Sequence, residues 1–202
     1  MFGSILGFIK DFFWFILFLS VVLLVLWIDS NTNVEYYIYR SDIDNTFVEQ
    51  VRNIMANTDW GKYKVIEVDK PENAIITIRL CSRKEMDKWH DEPEYYPSGK
   101  EIRFSITTQN QYIKPKIFID SGNWLNGVPE SGLELKDYRN YVIRHEFMHA
   151  LSYDHQPCNE ETAVNGVCPV LYQSTRGCPK GYKCGSNILP VDFTKRLTHR
   201  YL

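Results

Sequence analysis

From residue 34 to residue 120, short runs of strand-forming residues are separated by turn signals and interrupted once by a helical spacing. Val34–Arg40 (VEYYIYR) is rich in strand formers. Ile43, Phe47, Val51, Ile54 and Met55 recur at helical intervals, which predicts a helix over Ile43–Asn57 that Asp42 could cap. Lys64–Val68 and Ala74–Leu80 read as strands parted by the turn-like DKPEN. Residues 82–100 are charged, aromatic and punctuated by Pro and Gly, so a surface excursion is expected there, with His90 as a solvated side chain. Ile102–Thr107 and Lys116–Asp120 are two further strands, and Ser121-Gly122-Asn123 reads as a turn. A long amphipathic helix pattern covers Leu135–Leu151. About 35 residues of turns and cysteines follow, then a short helix near Val191–Tyr201. This order predicts one α/β (α+β) domain over residues 34–202, with a mixed sheet and a C-terminal helix.

The first 28 residues differ in kind. Phe12–Ile28 (FFWFILFLSVVLLVLWI) carries no charge, and as a helix it extends about 26 Å, close to the hydrocarbon thickness of a bilayer. Trp14 and Trp27 stand near its ends, where interfacial aromatics belong. The run is longer than a usual signal-peptide core and no A-x-A-like site follows, so residues 1–28 are expected to be an uncleaved transmembrane signal anchor. Residues 29–33 (DSNTN) are the expected linker. Lys10 and Arg40 flank the span almost evenly, so charge does not orient it.

The formal charge is −2 and no long block of like charge occurs, which argues against nucleic acid as a partner. The five cysteines are Cys81, Cys158, Cys168, Cys178 and Cys184, with no C-x-x-C pair among them. Two disulfides among the last four are expected, and they imply an oxidising compartment and so a domain outside the cytosol. Spacing alone leaves all three pairings open. Cys81 is then either free or paired between chains.

Candidate chemistry lies in HEFMHALSYDH, residues 145–155. His145 and His149 are four apart, which puts both imidazoles on one face of a helix, as two zinc ligands require. Glu146 is rotated roughly 100° from His145 and is placed to act on a water rather than to ligate. His155 lies six residues past His149, roughly 240° round a continuous helix. It can join the same metal only if the helix stops and the chain turns back. Pro157 limits the helix, and a stop near Ser152 is expected. Asp154 is the alternative third ligand.

These residues resemble the extended zinc motif of metzincin peptidases, H-E-x-x-H-x-x-G-x-x-H. His145, Glu146, His149 and His155 match it, and Ser152 stands where that family has glycine. Cys168-Pro169-Val170-Leu171-Tyr172-Gln173 is similar to the segment that carries the family's methionine turn, with Leu171 in the methionine's place; a tyrosine faces the site in some relatives, but core or surface packing is the expected role of Tyr172. Residues Lys116–Cys178 also resemble an uncharacterised zincin-like domain of secreted or anchored actinobacterial proteins. That likeness lies in Trp124-Leu125-Asn126-Gly127, Tyr138-Arg139, HEFMH, the cysteine after the third histidine, and P-V-L-Y-Q followed by Gly177-Cys178. Trp124 and Met148 are expected to be core. The resemblance implies a metzincin-like fold, a bridge Cys158–Cys178 and, by remainder, Cys168–Cys184.

The resemblance further implies a zinc metallopeptidase. Zn²⁺ is expected to be held by His145, His149 and His155, with Glu146 as the general base toward a zinc-bound water. The expected substrate is a peptide or protein chain laid extended beside Lys100–Thr107 or Lys116–Asp120. Two other functions fit the same residues: a catalytically weak zincin-fold binding module, for which Ser152 and Leu171 speak, and a zinc amidase acting on non-protein amide bonds.

Overall fold

The computed structural model describes residues 12–23, 32–88, 94–95, 101–102, 104–110 and 113–188. The expected helix near Val191–Tyr201, His90, and positions 24–28 of the expected membrane span lie outside these residues. Residues 12–23 form helix α1, whose large apolar side chains are exposed. Among the described residues no helix is long and apolar enough to cross a membrane.

The described residues between 32 and 188 build a mixed α/β domain on a five-stranded sheet. Strands β1 (Thr32–Ile38), β2 (Tyr63–Glu67), β3 (Ile76–Cys81), β6 (Ile106–Asn110) and β7 (Ile113–Asp120) are ordered β2-β1-β3-β7-β6. All neighbours are parallel except β6, which runs antiparallel to β7 at one edge. The period of two in the sequence becomes one buried face. Val34, Tyr36 and Ile38 of β1, Ile76, Ile78 and Leu80 of β3, and Ile117 and Ile119 of β7 are all core.

Two helices join that core. Helix α2 (Phe47–Ala56) buries Phe47, Val51, Ile54 and Met55. Helix α5 (Leu135–Ala150) sets Phe147 edge-on to Tyr36 and against Trp60, at centroid distances of 6.1 and 4.7 Å. The short helix α4 (Ser121–Asn126) brings Trp124 against Phe47, at 5.0 Å. Trp124 and Met148 are fully buried, as expected of core residues.

Several boundaries move for local reasons. Strand β1 starts at Thr32, inside the expected linker. Helix α2 starts at Phe47 rather than Ile43, and Asp42 does not cap it. The Ser41 hydroxyl accepts from the amides of Ile43 and Asp44, and the Asp44 carboxylate accepts from Thr46 and from the Trp124 indole. These side-chain bonds occupy the backbone before a helix can start there. The expected turn at Ser121-Gly122-Asn123 is instead the start of α4, because buried Asp120 caps it through the amide of Asn123 at 2.7 Å.

In the excursion after β3, Ser82 and Glu85 form a reciprocal capping box that starts helix α3 (Arg83–Met86). The expected strand Ile102–Thr107 splits in two. Strand β5 (Glu101–Ile102) pairs with β4 (Glu94–Tyr95), and the main sheet resumes at Ile106.

Helix α5 is not amphipathic where it matters. Residues 141–148 are buried without a break. The sheet covers one side, and an irregular segment bonds to the other. Tyr141 donates its hydroxyl to the Tyr172 carbonyl, and Arg144 donates to the Ser186 carbonyl and to Asn187.

Disulfides hold that irregular segment, but the bridges are Cys158–Cys168 and Cys178–Cys184, not the crossed pairs implied by resemblance. Each bridge closes a short loop built on local turns. Val164 and Val167 exchange backbone hydrogen bonds around Asn165-Gly166, both at positive φ, as a two-residue hairpin turn requires. Tyr182 bonds back to Pro179 around Gly181, also at positive φ. The turns bring neighbouring cysteines to Cα separations of 5.1 and 5.5 Å. Cys81 is free and buried, so a bridge between chains through it would need the sheet to open.

Phe47→Ala removes a fully buried ring that packs on Trp124 and should destabilise the full chain by about 3–5 kcal/mol in denaturant unfolding. A loss under 1 kcal/mol would mean that α2 is not packed as described.

Candidate metal centre

The last turn of α5 decides where the histidines go. The helix caps at Leu151, and Ser152 takes φ 68°, in the left-handed region. The amide of Ser152 bonds to the His149 carbonyl at 2.9 Å and that of Tyr153 to the Met148 carbonyl at 3.1 Å. This is the Schellman arrangement, with serine in the position usually given to glycine. It satisfies two orphan carbonyls at a conformational cost to serine of about 1–2 kcal/mol. The chain thereby reverses, and residues 153–155 return along the helix face that carries His145 and His149.

Three imidazoles meet as a result. Nε2 of His145 is 3.1 Å from Nε2 of His149 and 3.3 Å from Nε2 of His155. One ligand atom from each histidine lies within 4.8 Å of the others, so the group could hold a metal ion. Asp154 lines the same cavity but is not a member of this group. His145 is buried, His149 half-buried and His155 exposed, so the group opens outward from the core.

Backbone carbonyls fix two of the rings. Nδ1 of His145 lies 2.7 Å from the Val170 carbonyl, and Nδ1 of His149 lies 2.7 Å from the Tyr153 carbonyl. A carbonyl only accepts, so Nδ1 carries the proton in both rings and each Nε2 presents a bare lone pair when the ring is neutral. Two bare nitrogens at 3.1 Å share no proton. A cation between them resolves that repulsion, so the donor set fits a metal.

The surroundings keep the rings neutral. Burial lowers His145 to about 3, helped by His149 and His155 and opposed by the Val170 carbonyl. Burial also lowers His149 and His155, the latter with Arg176 nearby. Glu146 is 5% exposed and lines the same cavity, and burial raises its carboxyl to about 7 against the opposing hydrogen bond from Thr107.

The cavity has a volume of about 310 Å³. Phe104, Ile106, Tyr138 and Val142 give it apolar walls, while Thr107 and Thr175 add hydroxyls. Strand β6 borders it on one side and the 168–175 segment on the other. Leu171 is fully buried within that second wall, and its carbonyl accepts from the amide of Gln156. Tyr172 does not face the site, because its hydroxyl bonds to the Gly177 carbonyl at 3.3 Å.

The structure thus brings together His145, Glu146, His149 and His155. Sequence reading missed four partners: the carbonyls of Val170 and Tyr153, the Thr107 hydroxyl and the buried Tyr141 phenol. No local pattern signals the first three. Tyr141 sits one turn before His145 on the same helix face, a spacing that could have pointed to it. Its ring lies 5.1 Å from that of His145, and its hydroxyl also accepts from the amide of Ser174.

Fold and site together define a mixed α/β domain with a three-histidine group at the end of its buried helix. A family described as a protein of unknown function, DUF3152, matches residues 27–184, and the chain belongs to that family. No curated protein matches the chain.

Ser152→Gly should preserve metal uptake and leave stability unchanged or raised by up to about 1 kcal/mol, while Ser152→Val should cost about 1–2 kcal/mol or more and weaken metal binding. Thermal melts with metal titration read both, and a valine variant equal to the parent would contradict the left-handed turn.

Replacing Cys158 and Cys168 together by serine should destabilise the chain by about 2–4 kcal/mol and speed metal loss to a chromophoric chelator. Unchanged metal retention would show that this bridge does not hold the site.

Proposed function

We propose that the domain is a zinc-dependent metallopeptidase of the metzincin kind, with His145, His149 and His155 as ligands and Glu146 as general base. The observation that carries this is the spacing of the three nitrogens. Zinc–nitrogen bonds of about 2.0–2.1 Å at tetrahedral angles put the nitrogens about 3.3–3.4 Å apart. The separations here are 3.1 and 3.3 Å. Three protein ligands leave a fourth position open, which distinguishes a catalytic from a closed structural zinc site.

Zinc in such a site supplies a Lewis acid and makes water acidic enough to ionise near neutral pH. Glu146 follows His145 on the helix and shares its cavity, so it can take the proton from the attacking water and hand it to the leaving amine. The apolar walls of the cavity limit competing solvent. Strand β6 borders the cleft as the edge of the sheet among the described residues, which supports an extended peptide or protein substrate.

Ser152 in the glycine conformation and Leu171 in an apolar position support the peptidase reading over the binding module. No observation favours non-protein amides over peptides.

We place the domain outside the cytosol, tethered by a membrane helix within residues 1–28. The two disulfides support the compartment. The exposed apolar side chains on α1 support the tether.

Glu146→Ala in the zinc-loaded full chain should keep its zinc and lose about 10²–10⁴-fold in cleavage of a broad fluorogenic peptide library. A variant that retains zinc and cleaves like the parent would remove Glu146 from the mechanism. Zinc bound by the parent with no peptide cleaved would return the binding module.

A further inference from the structure

Strand β6 delivers a hydroxyl to the buried carboxylate of the cleft. Thr107 Oγ1 lies 2.7 Å from Glu146 Oε2 and 2.9 Å from the main-chain oxygen of the same residue. These two contacts join the edge strand to the helix at the residue between the first two metal-facing turns. A glutamate has three side-chain torsions, and nothing else among the described hydrogen bonds restrains this one. Oε2 is occupied by the threonine, so Oε1 is the oxygen left for the cleft.

We propose that Thr107 is a positioning residue for Glu146. Its hydroxyl ties Oε2 to the sheet edge and so keeps Oε1 beside the three imidazoles. This rests on the peptidase reading above. It adds a requirement which the zinc motif does not contain: the helix supplies the base, and the neighbouring strand sets its position. Two features make threonine suited to this. It is β-branched, so its side chain has few rotamers and belongs in a strand. Its hydroxyl stands within hydrogen-bond reach of both the main chain and the side chain of Glu146, so the bond is referenced to the helix as well as to the carboxylate.

The test uses the full chain loaded with cobalt(II) in place of zinc, whose visible absorption reports the coordination shell. Acetohydroxamic acid is the probe. It chelates a metal through its oxygens, and its N–O–H group needs an acceptor beside the metal, so its affinity reports whether the Glu146 carboxylate stands there. Glu146→Ala sets the floor. Thr107→Val keeps the shape of the side chain and removes the hydroxyl. Thr107→Ala is the second hydroxyl-free variant should valine disturb folding, and Thr107→Ser restores the hydroxyl.

The expected result is an unchanged cobalt spectrum before probe is added, and hydroxamate binding weakened about tenfold or more in the valine and alanine variants. Serine should recover most of the affinity. Peptide cleavage, read on the zinc form, should fall in kcat with KM little changed. Hydroxamate affinity equal to the parent in Thr107→Val and Thr107→Ala, while Glu146→Ala weakens it, would overturn the role of Thr107 and leave the peptidase reading standing. Equal weakening in the serine variant would overturn it too, since the hydroxyl would then not be the cause. A parent that takes up no cobalt, or that binds the probe as tightly as Glu146→Ala, would bring down the peptidase reading and this inference with it.

Discussion

A single left-handed residue holds the site together. Without the reversal at Ser152, α5 would carry His155 away from His145, and two histidines on one helix make an incomplete shell for zinc. The same turn does a second thing. By sending Tyr153 back toward the helix it offers that residue's carbonyl to Nδ1 of His149. One backbone conformation therefore brings the third histidine to the group and orients the second. Its cost to a serine is small compared with the bonds it makes possible, which explains why the turn persists without glycine.

The rest of the domain holds α5 immobile around that turn. Phe147 wedges between Tyr36 and Trp60 on the sheet side, while Tyr141 and Arg144 reach the opposite wall. A helix buried on both sides cannot roll, so the core fixes the directions in which His145 and Glu146 leave the helix, while Val170 and Thr107 bond the side chains themselves. The second wall has no strand or α-helix of its own. It is held by two local disulfides, by backbone bonds between Cys168 and Lys183 and between Gly166 and Lys183, and by bonds to α5. Its contact with the histidines is made through a main-chain atom, the Val170 carbonyl, and Thr175 adds a hydroxyl to the cavity.

This division explains what was legible in the sequence. The strands of the sheet showed through because one face is buried and the other is not, so Val34, Tyr36 and Ile38 or Ile76, Ile78 and Leu80 imprint a period of two. The helical pair His145 and His149 showed because the spacing alone fixes their common face. Spacing does not fix His155, whose place depends on a conformation that serine rarely adopts. The start of α2 was misplaced because Ser41 and Asp44 compete for the backbone through side-chain bonds that periodicity does not register. The disulfide pairing implied by resemblance was wrong, although the turns that decide it, Asn165-Gly166 and Gly181, stand in plain view between their cysteines. Thr107 was invisible, because a strand residue carries no mark of which helix it will meet.

The order of the bridges has a consequence for how the domain is made. Cys158 meets Cys168 and Cys178 meets Cys184, at sequence separations of 10 and 6, so each pairing needs only its own short loop and none of the sheet. Contacts this local form early and without a long search. Oxidation of the wall can then precede its docking on the helix, so that one side of the cleft is shaped before the three histidines meet.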